Sequence, residues 1–99
     1  MNIIWSSNAE RKLIEIDNFI SYDSPKRAEQ FINSIIIKAK SIPDHTFKGR
    51  MVPEFMIKEI RELIFKNYRI IYKICSDNIQ IITIYESHMI LDIEDILNS

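Results

Sequence analysis

Apolar residues recur at helical spacing along the first part of the chain, after a short apolar, β-branched stretch. That stretch, Asn2 to Ser6, predicts a first strand. Ser7 followed three residues later by Glu10 fits a capping box, so a helix is predicted over about Asn8 to Tyr22. Its expected buried stripe consists of Ala9, Leu13, Ile16 and Ile20.

A second helix is predicted from Pro25 to about Ile42. Ser24 can cap its first turn, and Pro25 at the first helical position loses no useful N–H. The apolar stripe of this helix consists of Ala28, Phe31, Ile32, Ile35, Ile36, Ala39 and Ile42. Two amphipathic helices joined by so short a connection are expected to pack as an antiparallel hairpin.

The stretch from Pro43 to Pro53 has no apolar periodicity and contains Gly49, the only glycine of the chain. It is predicted to be a loop. Loops of this length in a compact domain are often functional.

Strand-forming residues dominate three successive segments, Ile57 to Phe65, Tyr68 to Cys75 and Ile79 to Glu86. Asn67 and the stretch from Ser76 to Asn78 supply the turns between them. Such short connections predict an antiparallel meander, because parallel neighbours would need crossover connections.

These elements predict an α+β fold, with an N-terminal helical hairpin packed on an antiparallel sheet of about four strands. The spacing of apolar residues in Leu91 to Leu97 predicts a short C-terminal helix. A chain of 99 residues with 46% apolar content fits one domain over residues 1–99.

The net charge of −1 hides a basic middle and an acidic end. The basic residues of the middle are Lys48, Arg50, Lys58, Arg61, Lys66, Arg69 and Lys73. The stretch from Asp77 to Ser99 contains five acidic residues and no Lys or Arg. Such asymmetry can indicate a surface that faces a polyanion, but a solvated charged face is the more common explanation.

Composition and motifs exclude several classes of protein. The single cysteine, Cys75, excludes an intramolecular disulfide, and His45 and His88 have no partners at metal-ligand spacing, so neither a metal nor a cofactor is expected. P-loop, GxGxxG, HExxH and serine-hydrolase motifs are absent from the sequence. Without a signal peptide or a long apolar run, the protein is expected to be cytoplasmic, with no membrane contact.

Charged residues on or beside the predicted strands are the candidates for chemistry. Cleaving RNA by attack of its 2′-hydroxyl needs a base, a cation for the phosphate and an acid for the leaving oxygen, and a Glu, an Arg and a His suit those roles. Two alternatives stay open, a salt bridge from Arg69 to Glu62 or Glu59 and a surface position for His88. Spacing alone does not decide whether these residues converge.

The chain as a whole resembles the RelE/ParE superfamily of toxins from type II toxin–antitoxin modules. The segments that carry the resemblance are IIWS, SPKRAEQFINSI, GRMVPE, IREL, NYRIIYKI and IQIITIYESH, in this order. The resemblance implies a small β-sheet protein with a helical hairpin on one face. RelE-like and YoeB-like members cut mRNA on the ribosome without a metal, whereas ParE-like members poison DNA gyrase and need no nuclease residues.

By the same resemblance, Glu54 would act as base, Arg69 would stabilise the phosphate and His88 would act as acid. The residues expected to bind the substrate are Arg50, Lys58, Arg61, Lys66 and Lys73. The chain departs from the pattern at Met89, where YoeB-like toxins have tyrosine, and at Leu91, where many members have arginine.

The function predicted from the sequence is growth inhibition by ribosome-dependent mRNA cleavage, as the toxin of a type II module. The alternatives are a ParE-like poison of DNA gyrase and a degenerate member that only binds antitoxin. The expected partners are a cognate antitoxin and either the ribosome with its mRNA or gyrase. The antitoxin is expected to lay an amphipathic helix or an added strand across the Ile-rich surface.

Overall fold

The computed structural model describes residues 1–91 and Glu94. The strands are β1 (Asn2–Trp5), β2 (Arg50–Met51), β3 (Ile60–Phe65), β4 (Tyr68–Ile74) and β5 (Asn78–Glu86). The helices are α1 (Ser7–Ser21) and α2 (Pro25–Lys40), followed by a 3₁₀ turn at Ile42–Asp44. Most of the helix predicted from Leu91 to Leu97 lies outside the described residues.

The two helices form the predicted hairpin, and their first turns are capped by serine. Ser24 Oγ accepts a hydrogen bond from the Arg27 N–H at 3.2 Å, as predicted. The cap of α1 is Ser6 rather than Ser7. Ser6 Oγ accepts from the Ala9 N–H at 3.0 Å and donates to the Ile82 carbonyl at 2.6 Å. The helix therefore starts one residue earlier than predicted, where the same hydroxyl also bonds to the sheet.

The sheet has five strands in the order β1-β5-β4-β3-β2. The meander of β3, β4 and β5 is antiparallel, which confirms that prediction. Two features differ from the expected sheet of about four antiparallel strands. β1 pairs in parallel with β5, and β2 lies inside the stretch predicted to be a loop. β2 is only two residues long, too short to produce an alternating pattern in the sequence.

One face of the sheet, here called the helix face, packs against the hairpin. Tyr68, Ile70 and Tyr72 alternate along β4 and join one cluster with Ile35 and Ala39 of α2. Ile70, Ile35 and Ala39 are fully buried. The helix face therefore holds the main apolar core.

The opposite face, here called the second face, carries a smaller apolar cluster. Its buried members are Val52, Ile60, Ile71, Ile82, Tyr85 and Leu91. In the pairing of β4 with β5, Ile71 faces Thr83 and Tyr72 faces Ile81, so Ile82 is the extra residue of a bulge. Such a bulge re-aims side chains locally. The second face also carries the charged residues described next.

Candidate functional site

Arg69 is buried on the second face between two carboxylates. Its side chain is 6% exposed, and its Nε donates to Glu62 Oε2. Nη1 and Nη2 donate to the two oxygens of Glu54, each at 2.8 Å, so this pair is bidentate. Nη1 also donates to the Met89 carbonyl at 3.2 Å. Four N–H groups of the guanidinium are therefore engaged by the protein itself.

The strand register explains the pair of Arg69 and Glu62. Across β3 and β4, Glu62 faces Ile71 and Ile64 faces Arg69, so Glu62 and Arg69 are diagonal neighbours on the same face. The salt bridge between Arg69 and Glu62 that the sequence left open as an alternative is thereby confirmed.

Glu54 reaches Arg69 from the turn that follows β2. In this turn the Met56 N–H donates to the Val52 carbonyl at 2.8 Å, and Met56 has a φ of 55°. Glu54 Oε2 also accepts from the Leu91 N–H at 3.1 Å. Glu54 and Arg69 together therefore fasten the turn after β2 and the segment around Met89 and Leu91 to the sheet.

Arg50 on β2 extends the network, because its Nε donates to Glu62 Oε1 at 2.7 Å. The resulting chain, Arg50–Glu62–Arg69–Glu54, alternates in sign and is here called the charge network. Its side chains are 64%, 0%, 6% and 22% exposed, in that order. A buried carboxylate and a buried guanidinium are stable in this setting because each has partners of opposite charge.

The network changes the acid–base properties of Glu54 and Arg69. Hydrogen bonds from Arg69, and then the Leu91 N–H, lower the pKa of Glu54 from 4.5 to about 2 against the opposing effect of burial. Hydrogen bonds to Glu54 and Glu62 raise the pKa of Arg69 above its ordinary value, although burial opposes them. Glu54 is therefore an ionised carboxylate with little affinity for a proton, and Arg69 is a permanent cation.

His88 lies apart from these contacts, in the turn after β5. Its side chain is 74% exposed, and Nδ1 lies 3.5 Å from Glu86 Oε2. The structure thus brings Glu54 and Arg69 together as a pair. It places the imidazole of His88 in solvent, one residue before the Met89 carbonyl that contacts Arg69.

Two of the predicted substrate-binding residues surround an aromatic ring near β2. Arg61 lies with its guanidinium carbon 4.8 Å from the centroid of the Phe47 ring, and Lys58 Nζ lies 5.9 Å from it. Arg61 also donates to the Lys58 carbonyl at 2.8 Å and to the Gly49 carbonyl at 3.2 Å. Half-exposed cation–π contacts of this kind can hold the loop before β2 against β3.

The remaining two predicted substrate-binding residues lie at opposite ends of the β3–β4 hairpin. Lys66 occupies the turn with a φ of 57°, and Lys73 pairs with Ile60 at the far end. Both side chains are exposed. The five basic residues therefore do not form one continuous patch.

No pattern in the sequence indicated the role of Tyr72. The one signal was Gly49, the only glycine of the chain, which is the hydrogen-bond partner of Tyr72. The Tyr72 hydroxyl accepts from the Gly49 N–H at 2.9 Å and donates to the Thr46 carbonyl at 2.8 Å. Burial raises the pKa of Tyr72. A Cβ on Gly49 would lie 2.4 Å from the Glu62 carbonyl oxygen and 2.8 Å from the Tyr72 hydroxyl, so glycine is required by close approach.

Within the part of the chain that the structure describes, no group of three or more His, Cys, Asp or Glu side chains could hold a metal ion. None of the helices in that part is long and apolar enough to cross a membrane.

Comparison with known proteins identifies a family and similar solved structures. The family model described as "ParE toxin of type II toxin-antitoxin system, parDE" matches residues 3–91. A solved structure described as "Chromosomal ParDE TA system from P. aeruginosa" is 19% identical in sequence, with a TM-score of 0.73. The match covers 87% of this chain and 95% of that one. None of the curated proteins compared with the chain matches it.

Proposed function

Because the chain belongs to the ParE toxin family of type II toxin–antitoxin systems, we propose that it inhibits growth by binding and poisoning DNA gyrase, without cleaving RNA. A toxin of this kind has a cognate antitoxin as its partner. The observation that carries the proposal is the closed charge network around Arg69. The resemblance to ParE-like toxins supports gyrase as the target, since those members need no nuclease residues.

Nuclease chemistry would need Arg69 and Glu54 to be available to RNA. An arginine has five N–H donors, and Arg69 already directs four of them at Glu62, Glu54 and the Met89 carbonyl. A general base works best when its pKa lies near the working pH, and that of Glu54 is lowered to about 2. The pairing therefore favours a structural role for both residues.

A toxin that acts by binding needs a rigid surface rather than reactive groups. The charge network connects β2, β3, β4, the turn after β2 and the segment around Met89. Five separate parts of the second face are thus held in one arrangement. We assign the network to maintaining this surface for a protein partner.

The test is a supercoiling assay with purified gyrase and relaxed plasmid, followed by detection of cleaved DNA–gyrase complexes. Wild-type protein is expected to block supercoiling and to accumulate those complexes. His88→Ala is the matched variant, because its side chain is exposed and its loss leaves the charge network intact. The variant is expected to inhibit gyrase as strongly as wild type. Normal supercoiling in the presence of excess folded wild-type protein would overturn the proposal.

A second candidate function is ribosome-dependent mRNA cleavage by Glu54, Arg69 and His88. The observation that favours it is the hydrogen bond from Arg69 to the Met89 carbonyl. Met89 directly follows His88, so this bond holds the backbone next to His88 beside the Glu54–Arg69 pair. For this function, bound RNA would have to break the salt bridge between Glu54 and Arg69, so that both side chains could contact it. Primer extension on translated and untranslated mRNA tests it. Cuts confined to translated message, and lost in His88→Ala, would replace the gyrase proposal with this one.

A further inference from the structure

A pocket lies between α1 and the end of β5. β1 pairs with β5 only as far as Ile81, so the rest of β5 has no neighbouring strand on that side. The pocket encloses about 230 Å³ and is here called the α1–β5 pocket. Pockets for drug-sized ligands begin at roughly 300 Å³, so this one suits a single long side chain. Its polar lining residues are Lys12, Glu15, Tyr68, Tyr85 and Glu86.

The α1–β5 pocket contains two tyrosine hydroxyls that have no hydrogen-bond partner among the described residues. Tyr68 and Tyr85 are only 9% and 7% exposed. The hydroxyl of Tyr72, by contrast, bonds to Gly49 and Thr46. Buried polar groups are normally hydrogen-bonded, so two unpaired phenols in one pocket need an explanation. Neither hydroxyl is among the fully buried polar atoms of this part of the chain, so a ligand can reach both.

Two carboxylates of the pocket can also accept hydrogen bonds from a ligand. The oxygens of Glu15 lie 3.9 Å from Arg11 Nε and 4.0 Å from Lys12 Nζ, which is too far for a hydrogen bond. Glu86 Oε2 lies 3.5 Å from His88 Nδ1. The side chains of Glu15 and Glu86 are 58% and 48% exposed. Both carboxylates are therefore accessible.

The charge and the aromatic rings of the pocket favour a cation. Its lining has two carboxylates and one basic residue, Lys12. The Nζ of Lys12 lies 5.1 Å from the centroid of the Tyr85 ring, so one cation–π contact already exists there. Glu86 faces Tyr68 across β4 and β5, which places a carboxylate beside the second ring. Burial, and then the charge of Glu86, raise the pKa of Tyr68, so its hydroxyl is protonated at pH 7.

The pocket adjoins the surface that the charge network maintains. Phe19 and Met89 line it and are 79% and 50% exposed, so they add apolar surface that a partner could contact. The Met89 carbonyl accepts a hydrogen bond from Arg69 of the network. Tyr85 belongs to the apolar cluster of the second face. The pocket is therefore continuous with the face that we assign to a protein partner.

We propose that the α1–β5 pocket binds an arginine side chain of DNA gyrase. The choice of gyrase rests on the proposed function. A guanidinium has five N–H donors and a planar face that stacks on aromatic rings. Its donors match the carboxylates of Glu15 and Glu86 and the hydroxyl oxygens of Tyr68 and Tyr85. An enzyme that acts on DNA carries arginine and lysine where it contacts phosphates, and such a surface complements an acidic pocket.

The first test is an NMR titration of the isotope-labelled, full-length protein with Nα-acetyl-arginine amide. Wild type is expected to bind this probe with a Kd on the order of 1 mM, as a small fragment does. The largest shifts should occur at Tyr68, Tyr85 and Met89. Nα-acetyl-citrulline amide is the matched probe, because it has nearly the shape of the arginine derivative without its charge. It should bind several-fold more weakly, and so should Nα-acetyl-glutamate amide.

Two double variants remove the proposed contacts separately. Glu15→Gln with Glu86→Gln removes the charge but keeps the shape, and should weaken binding of the arginine derivative roughly ten-fold. Tyr68→Phe with Tyr85→Phe should weaken it several-fold. This second variant removes hydroxyls that form no hydrogen bond within the described residues, so folding should be unaffected.

The controls remove the same groups outside the pocket. Glu29→Gln with Glu59→Gln removes two exposed carboxylates, and Tyr22→Phe removes an exposed hydroxyl. Both controls should bind the arginine derivative as wild type does.

The second test compares the two carboxylate variants in the gyrase supercoiling assay. About ten-fold more of the Glu15→Gln, Glu86→Gln protein should be needed for the inhibition that wild type gives. The Glu29→Gln, Glu59→Gln control should be as effective as wild type. Unchanged inhibition by a pocket variant that no longer binds the arginine derivative would overturn the assignment to gyrase.

The pocket itself is disproved by any of three titration results. These are no binding of the arginine derivative, equal or tighter binding of the citrulline or glutamate derivative, and equal weakening by pocket and control variants. The titration contains no gyrase, so it tests the pocket independently of the proposed function. If the arginine derivative binds but wild type leaves supercoiling intact, the proposed function is wrong and the arginine pocket stands.

Discussion

Ile70 and Arg69 are neighbours on β4 and are both buried, at 0% and 5% exposure, but they lie on opposite faces of the sheet. On the helix face, Ile70 belongs to the apolar cluster of the core. On the second face, Arg69 is stable only because Glu54 and Glu62 accept its hydrogen bonds. The helix face should therefore tolerate apolar substitutions of similar volume, whereas the second face depends on a complete network.

Arg69→Ala should give the largest effect, because it leaves the fully buried Glu62 without its main partner and breaks the bidentate pair with Glu54. The free energy of unfolding at pH 7 should fall by about 3–5 kcal/mol. Urea denaturation measures it. Arg50→Ala is the control from the same network. Since its side chain is 64% exposed, it should cost no more than about 1 kcal/mol. Equal losses in the two variants would contradict the central position of Arg69.

Ile70→Ala tests the helix face from the same strand. The cavity and the lost burial should lower the free energy of unfolding by about 3 kcal/mol. Urea denaturation of the Ile70→Ala and Arg69→Ala variants at pH 3 as well as pH 7 separates the two faces. The cost of Ile70→Ala should be the same at both pH values. The cost of Arg69→Ala should shrink, because acid weakens wild type, in which Arg69 lowers the pKa of Glu54, more than a variant in which Glu54 has lost that partner.

Gly49→Ala tests a close approach that involves residues of both faces. Gly49 lies against the hydroxyl of Tyr72, a helix-face residue, and the backbone carbonyl of Glu62, a second-face residue. We expect a loss of about 1–3 kcal/mol, because a Cβ would lie 2.4 Å from the Glu62 carbonyl oxygen. In a Tyr72→Phe background the added cost should persist, since removing the hydroxyl does not relieve that backbone contact. Thermal unfolding of wild type, Gly49→Ala, Tyr72→Phe and the double variant measures the cost of Gly49→Ala with and without the hydroxyl.

Acid should lower the free energy of unfolding because it protonates Glu54 on the second face. Its pKa is about 2 in the folded protein against 4.5 ordinarily, so its contribution is complete above pH 4.5 and is lost as the pH falls toward 2. The loss should be roughly 1–2 kcal/mol, because partial exposure of the side chain screens the pair. Urea titrations at several pH values measure it, and Glu54→Gln should flatten the curve in this window. An unchanged slope in that variant would mean that other carboxylates cause the loss.

Elements with local signals were predictable from the sequence. Ser24 and Pro25 set the start of α2, and periodic apolar residues set the buried stripes of both helices. The tight turns around Asn67 and Asp77 required the antiparallel meander. The pair of Arg69 and Glu62 was foreseeable as an alternative, because a hairpin register fixes which residues lie diagonally opposite.

Other features depended on parts of the chain that no local pattern connects. The parallel pairing of β1 with β5 joins residues such as Asn2 and Asn78, and Ser6 bonds to Ile82 across 76 positions. Gly49 and Tyr72 meet across 23 positions. Each of these contacts forms only when distant parts of the chain pack together in the fold.

The sequence by itself determined which residue types could carry charge chemistry, and it placed Glu54, Arg69 and His88 in a family pattern. Tertiary structure decided what those charges do. The turn after β2 brings Glu54 onto Arg69 across 15 positions, and the exposed turn after β5 leaves His88 in solvent. Periodicity records which side of an element is buried. Which residue pairs with a buried charge depends on how the loops pack, and loop packing produces no periodic pattern in the sequence.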